Sequence, residues 1–176
     1  PMTVSQNIHA VGNIILQSVD EAAAGDDLTI GDFWIHSSGG TIFLYAGDNL
    51  TLSTGTLLQA SGGYVEIRGD YGNADSGVGA VLNLVGNVKG SRLDVYGDED
   101  GDTINLPGNL NSVDRVPINL YGAGGNDTFN LQTLNATTTV SGGAGNDTIK
   151  VGSAAPAASG DVHQILGLLT VNEDGG

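Results

Sequence analysis

The sequence predicts an all-β chain, a right-handed parallel β-helix of about seven irregular laps with no substantial helix, and three observations predict it. Apolar and polar residues alternate in short runs, the mark of strands with one buried face. Three segments built as strand, Gly/Asp-rich corner and strand align without gaps. The chain also holds 29 glycines against three Phe, one Trp and one Met, too few large side chains for a broad globular centre.

Taken in order, "GNIILQS" at Gly12, "GTIFLYA" at Gly40 and "GYVEIRG" at Gly63 each put a strand after a glycine. Counting on, lap starts fall at Ile14, Ile42, Val65, Leu93, Ile118, Thr138 and Leu169, spaced 20 to 31 residues apart. A second strand follows in "AGDDLTI" near Leu28 and "AGDNLTL" near Leu50, again after a corner rich in Gly and Asp or Asn. Stacked at the ~4.8 Å strand spacing, about seven laps make a rod roughly 30 Å long. Unequal laps require bulging connections, expected at 71–80 ("YGNADSGVGA") and 152–161 ("GSAAPAASGD"). An antiparallel β-sandwich is the competing architecture, and the in-register strand-corner-strand repeat argues against it.

Residues 1–176 are therefore expected to form one domain, with looser laps over 1–92 and corner-bearing laps over 93–176. In "LLTVNEDGG", Leu169 and Val171 align with Thr138 and Val140, which places Gly175 and Gly176 in a fourth corner. The chain is accordingly expected to be a piece of a longer protein whose neighbouring segments continue the solenoid and cover its open sheet edge.

Twenty acidic residues against five Lys plus Arg give a formal charge of -15, which opposes compaction unless cations neutralise part of it. Nucleic acid and anionic membranes are poor partners for such a surface. No apolar run approaches the roughly 18 residues of a membrane span. With no Cys, neither disulfides nor thiolate metal sites are available.

The aligned segments are "LDVYGDEDGDTINL" from Leu93, "INLYGAGGNDTFNL" from Ile118 and "TTVSGGAGNDTIKV" from Thr138. Their equivalent aspartates, Asp102, Asp127 and Asp147, follow one another by 25 and then 20 residues. Stacked laps would set these carboxylates in a column about 5 Å apart. Like charges at that spacing repel unless a cation lies between them, and surroundings of carboxylate, amide and carbonyl oxygens suit Ca²⁺.

"GGAGNDTIK" (142–150) fits the pattern G-G-x-G-x-D-x-U-x, U being a large apolar residue, at every fixed position. It resembles the haemolysin-type (RTX) calcium-binding repeats. "GAGGNDTFN" (122–130) departs in Ala123 at the second glycine, and "GDEDGDTIN" (97–105) replaces two glycines by Asp98 and Asp100. The resemblance implies calcium ligands from the carboxylates of Asp102, Asp127 and Asp147 and from carbonyls at Gly97, Gly122, Gly142 and their neighbours Gly124, Asn126, Ala144 and Asn146. Asp98 and Asp100 are added as local candidates. It also implies burial of Ile104, Phe129 and Ile149. Since one motif occurs per lap rather than in tandem, any ion would bridge laps.

Residues 12–92 resemble, in pattern rather than motif, the β-helical repeats of filamentous-haemagglutinin-type secreted adhesins. Together these resemblances imply a structural, non-enzymatic segment of a large secreted or cell-surface bacterial protein. Its partners would be calcium ions, neighbouring segments of the same chain and a cell-surface or matrix polysaccharide.

Other motifs carry weaker chemistry. A carbohydrate-binding or polysaccharide lyase-like β-helix would gather an acid and a base on one face. Arg68, Arg92 and Arg115 with Glu66, Asp70 and Asp94 are candidates, but structural salt bridges are the expectation. His9, His36 and His163 show no ligand spacing and read as isolated surface residues. Arg68–Asp70 spells the tripeptide Arg-Gly-Asp of some adhesive proteins, a match that arises often by chance. Phe33 and Trp34 are the only adjacent aromatics; Phe33 is expected in a cap or core, and the pair is a candidate sugar platform.

Overall fold

The structure is a computed structural model and describes residues 1–107 and 115–172. Its first lap consists of β1 (Met2–Val4), β2 (Ile8–Ala10) and β3 (Ile14–Gln17). Three further laps repeat this triplet: β4 (Leu28–Ile30), β5 (Trp34–Ser37) and β6 (Ile42–Tyr45), then β7 (Leu50–Leu52), β8 (Leu57–Ala60) and β9 (Val65–Arg68), then β10 (Val81–Leu84), β11 (Asn87–Lys89) and β12 (Leu93–Asp98). The remaining laps keep two described strands each: β13 (Thr103–Leu106) with β14 (Ile118–Ala123), β15 (Thr128–Leu131) with β16 (Thr138–Gly143), and β17 (Thr148–Val151) with β18 (Leu169–Asn172).

Every pairing between these strands is parallel, and the chain visits three stacked sheets in constant order. The first sheet runs β1-β4-β7-β10-β13-β15-β17, the second β2-β5-β8-β11, and the third β3-β6-β9-β12-β14-β16-β18. In the third sheet Ile14, Ile42, Val65, Leu93, Ile118, Thr138 and Leu169 pair in unbroken register, so all seven expected lap starts occupy one column. The second sheet corrects the two-strand lap expected from the sequence. Its strands, such as Asn87–Lys89, are too short to stand out by alternation, and in the sixth lap only an isolated bridge, Leu134 to Ile165, continues it.

The inward residues of all three sheets form one apolar cluster, from Val4, Leu28, Ile35 and Ile42 through Leu93 and Ile118 to Phe129 and Val140. Each fully buried side chain of this kind contributes roughly 1.5–3 kcal/mol. Phe129 is the largest of them. Because stacked laps repeat side-chain positions, polar residues ladder too: Asn105 Nδ2 donates to Asn83 Oδ1 at 2.9 Å and Asn130 Nδ2 to Asn105 Oδ1 at 2.7 Å. Among the described residues, no helix is long and apolar enough to cross a membrane.

The two connections expected to bulge, 71–80 and 152–161, both lie between strands, and a third connection of similar length, 18–27, joins β3 to β4. Residues 69–80 form turns between β9 and β10, and 152–168 form turns between β17 and β18. The expected corner at Gly175 and Gly176 lies outside the described residues.

Candidate functional site

The candidate site is the edge where each strand of the third sheet turns into the next strand of the first. β12, β14 and β16 are longer than the earlier third-sheet strands, six residues instead of four, because they run on into this corner. At their ends Asp98, Ala123 and Gly143 pair in register, and all three have positive φ, at 85°, 78° and 96°. Only glycine takes that conformation without steric cost, which is the physical content of the second glycine in the motif. Ala123 adopts it in register between Asp98 and Gly143, and Asp98 in register with Ala123.

The aspartates predicted from the sequence do form a column. Asp127 Oδ1 accepts the backbone N–H of Asp102 at 2.8 Å, and Asp147 Oδ1 accepts that of Asp127 at 2.9 Å. Asp102 Oδ1 accepts the N–H of Ala80 at 2.6 Å, and Asp48 Oδ2 accepts that of Asp26 at 2.7 Å. By the register of the first sheet, these residues all stand two places before the same inward column, Leu28, Leu50, Leu82, Ile104, Phe129 and Ile149. The column thus begins at Asp26 and Asp48, outside the three aligned repeats, and Ala80 interrupts it.

Each carboxylate also dictates the glycine beside it. A Cβ on Gly97, Gly122 or Gly142 would collide with Oδ2 of Asp102, Asp127 or Asp147 respectively. Asp102 and Asp127 are both 1% exposed, and the Oδ2 atom of each has no hydrogen-bond partner. Burial pushes the Asp102 carboxyl up to about 8; the hydrogen bond from Ala80 opposes this and the charges of Asp127, Asp70 and Asp98 add to it. Burial likewise raises Asp127 to about 6, against its hydrogen bond from Asp102 and with the charge of Asp147. A buried, unpartnered carboxylate oxygen either holds a proton or faces a cation. These atoms fit a hard cation by chemistry, one free oxygen per lap.

The other sequence-predicted residues divide. Asn126 Oδ1 accepts the N–H of Asn146 at 2.7 Å, and the N–H groups of Gly124 and Ala144 donate to the carbonyls of Asp98 and Ala123 at 2.9 Å each. Asp98 accepts from Arg68 at 3.2 Å, and Asp100 Oδ2 accepts the N–H of Gly77 at 2.6 Å. Asp98 and Asp100 are therefore tied to protein groups. Ile104 and Phe129 are fully buried, whereas Ile149, in the seventh lap, is half-buried.

The carboxylates that converge most closely are elsewhere along the same edge. Among the described residues, Asp20, Asp48 and Asp75 are the one group of three whose ligand atoms all lie within 4.8 Å of one another. Asp75 is part of the 69–80 connection, which shows in the sequence only as a bulge.

The weaker motifs also resolve. Arg68 Nε pairs with Glu66 at 2.9 Å, and Arg92 Nε with Asp94 at 2.6 Å, the structural salt bridges expected. Arg68 further lies 4.2 Å from the Tyr96 ring centroid, and Asp70 is 1% exposed, so the Arg-Gly-Asp tripeptide presents no free loop. His9 and His36 are not isolated: they pair in register with ring centroids 4.8 Å apart, and Trp34 stacks on His36 at 4.7 Å. Phe33 is half-buried and outside the core cluster, because it sits on the turn entering β5. No protein-family model, no curated protein and no solved structure matches this chain.

Proposed function

We propose that this chain is a calcium-binding structural segment of a large secreted or cell-surface bacterial protein of adhesin or extracellular-matrix type. Calcium at the Gly/Asp corners rigidifies a right-handed parallel β-helix of seven laps. The hand follows from the near-universal preference of parallel strand crossovers. One observation carries the reading: Asp102 and Asp127, stacked in consecutive laps, are buried with an oxygen each that nothing in the protein partners.

In this reading the acidic chain stays loosely folded where free calcium is scarce. It closes where calcium is abundant, because a ligand that binds only the folded state stabilises it by mass action. The activity is mechanical rather than enzymatic, and the partners are calcium, flanking segments of the same chain and surface polysaccharide. Thermal unfolding followed by circular dichroism, in EDTA and in graded calcium with magnesium as control, tests it. A calcium-specific rise in Tm supports the reading, and an unchanged Tm sinks it.

A carbohydrate-binding or lyase-like β-helix is the alternative, and one observation favours its binding half. Trp34, the only tryptophan, is 40% exposed and stacks on His36 at 7° between ring planes, a flat surface of the kind sugars cover. Quenching or enhancement of Trp34 fluorescence on titration with acidic and neutral polysaccharides tests it.

A further inference from the structure

Where the corner column lacks its aspartate, at Ala80, the connection 69–80 folds back over the edge. Asp20 accepts the backbone N–H of Ala74, 54 residues away, and Asp100 accepts that of Gly77 at 2.6 Å. The connection is thereby strapped between the corner after β3 and the corner after β12. Gly72, at φ 124°, lets it pass, since a Cβ there would come within 3.1 Å of the Asp20 side chain.

This brings Asp75 to Asp20 and Asp48. Three carboxylates in one place are not by themselves a site. Asp48 is 6% exposed, and its Oδ1 is sealed from solvent with no partner, although Oδ2 is bound by backbone N–H groups. Asp70, 1% exposed beside them, has both oxygens unpartnered, as do Asp75 Oδ1 and Oδ2, Asp20 Oδ1 and Asn73 Oδ1. No ion pair among the described residues involves Asp20, Asp48, Asp70 or Asp75.

We infer that Asp20, Asp48 and Asp75 form a divalent-cation site, with Asp70 and Asn73 beside it, that latches the 69–80 connection onto the corners of the first two laps. Carboxylate and amide oxygens with no nitrogen or sulfur donor select a hard cation, and ligands drawn from three separate segments suit the flexible coordination of Ca²⁺ better than the strict octahedron of Mg²⁺. The site uses none of the Gly-Asn-Asp repeat residues, so it stands or falls separately from the proposal for Asp102, Asp127 and Asp147.

The test is amide hydrogen exchange of the whole chain in EDTA, CaCl₂ or MgCl₂, with calorimetric titration of CaCl₂. In wild type, calcium should slow exchange over 71–78 at least tenfold. Asp75→Asn should abolish that slowing and remove one ion from the stoichiometry, and Asp20→Asn repeats the test if Asp75→Asn misfolds. The double variant Asp127→Asn/Asp147→Asn should keep the slowing. Calcium-indifferent exchange over 71–78 in wild type, full protection in Asp75→Asn, or loss of protection only in the repeat variant would each overturn the latch.

Discussion

The Asp127 carboxylate reaches across one lap to accept the backbone N–H of Asp102 at 2.8 Å, while its other oxygen lies buried and unpartnered against Gly122. One side chain thus meets a structural need with one atom and leaves a charge problem on the other.

Separating the two atoms gives the first prediction. Asp127→Ala should cost about 1–3 kcal/mol with or without calcium, because the buried N–H of Asp102 loses its acceptor. Asp127→Asn keeps an acceptor and removes the charge. In EDTA it should be as stable as wild type or more so, and it should lose most of the calcium-induced rise in Tm. Thermal unfolding of both variants in the two conditions checks this.

The corner glycines make the second prediction. Ala123 holds φ 78° in register with Gly143 at 96°. Ala123→Gly relieves a left-handed alanine worth about 1–2 kcal/mol but adds backbone freedom to the unfolded chain, for a net gain of about 0.5–1 kcal/mol. Gly143→Ala should lose more than this gains, since its Cβ would strike the carbonyl of Ala123. Gly122→Ala, driven into Asp127 Oδ2, should cost about 1–3 kcal/mol. Denaturant midpoints at constant m-value measure all three.

A third prediction concerns pH. Folding raises Asp102 to about 8, Asp70 to about 7 and Asp127 to about 6, from a value near 3.8. The folded state therefore binds more protons than the unfolded one between about pH 4 and 8. Stability is full below the unfolded value and falls as pH rises through that window, by up to ~1.4 kcal/mol per pH unit for each proton involved. Protein in EDTA should melt higher at pH 5 than at pH 8. Calcium, which must displace those protons, should flatten or reverse the trend. Melting curves from pH 4.5 to 8.5 decide it.

The fourth prediction tests whether the corner laps share the core of the earlier ones. Phe129 belongs to the same apolar cluster as Leu28 and Ile35 and is the largest side chain fully enclosed. Phe129→Ala should cost about 3–5 kcal/mol and lower a single cooperative transition. A split transition, with the early laps melting as in wild type, would show that the laps unfold independently.

The third sheet is legible in the amino-acid sequence, because its register is written in local alternation and in glycines at the corner. Ile14 through Leu169 pair as their spacing implies, and Asp102, Asp127 and Asp147 stack for the same reason. Features with no local signal arise only from long-range packing. The short strands of the second sheet exist by pairing with their neighbours, which is also what brings His36 to His9. The approach of Asp75 to Asp20 and Asp48 depends on where a glycine-rich connection comes to rest, and a hydrogen bond spanning 54 residues from Asp20 to Ala74 holds it there. Periodicity records which face of a strand is buried, whereas the path of a connection is set by contacts between residues far apart in the chain.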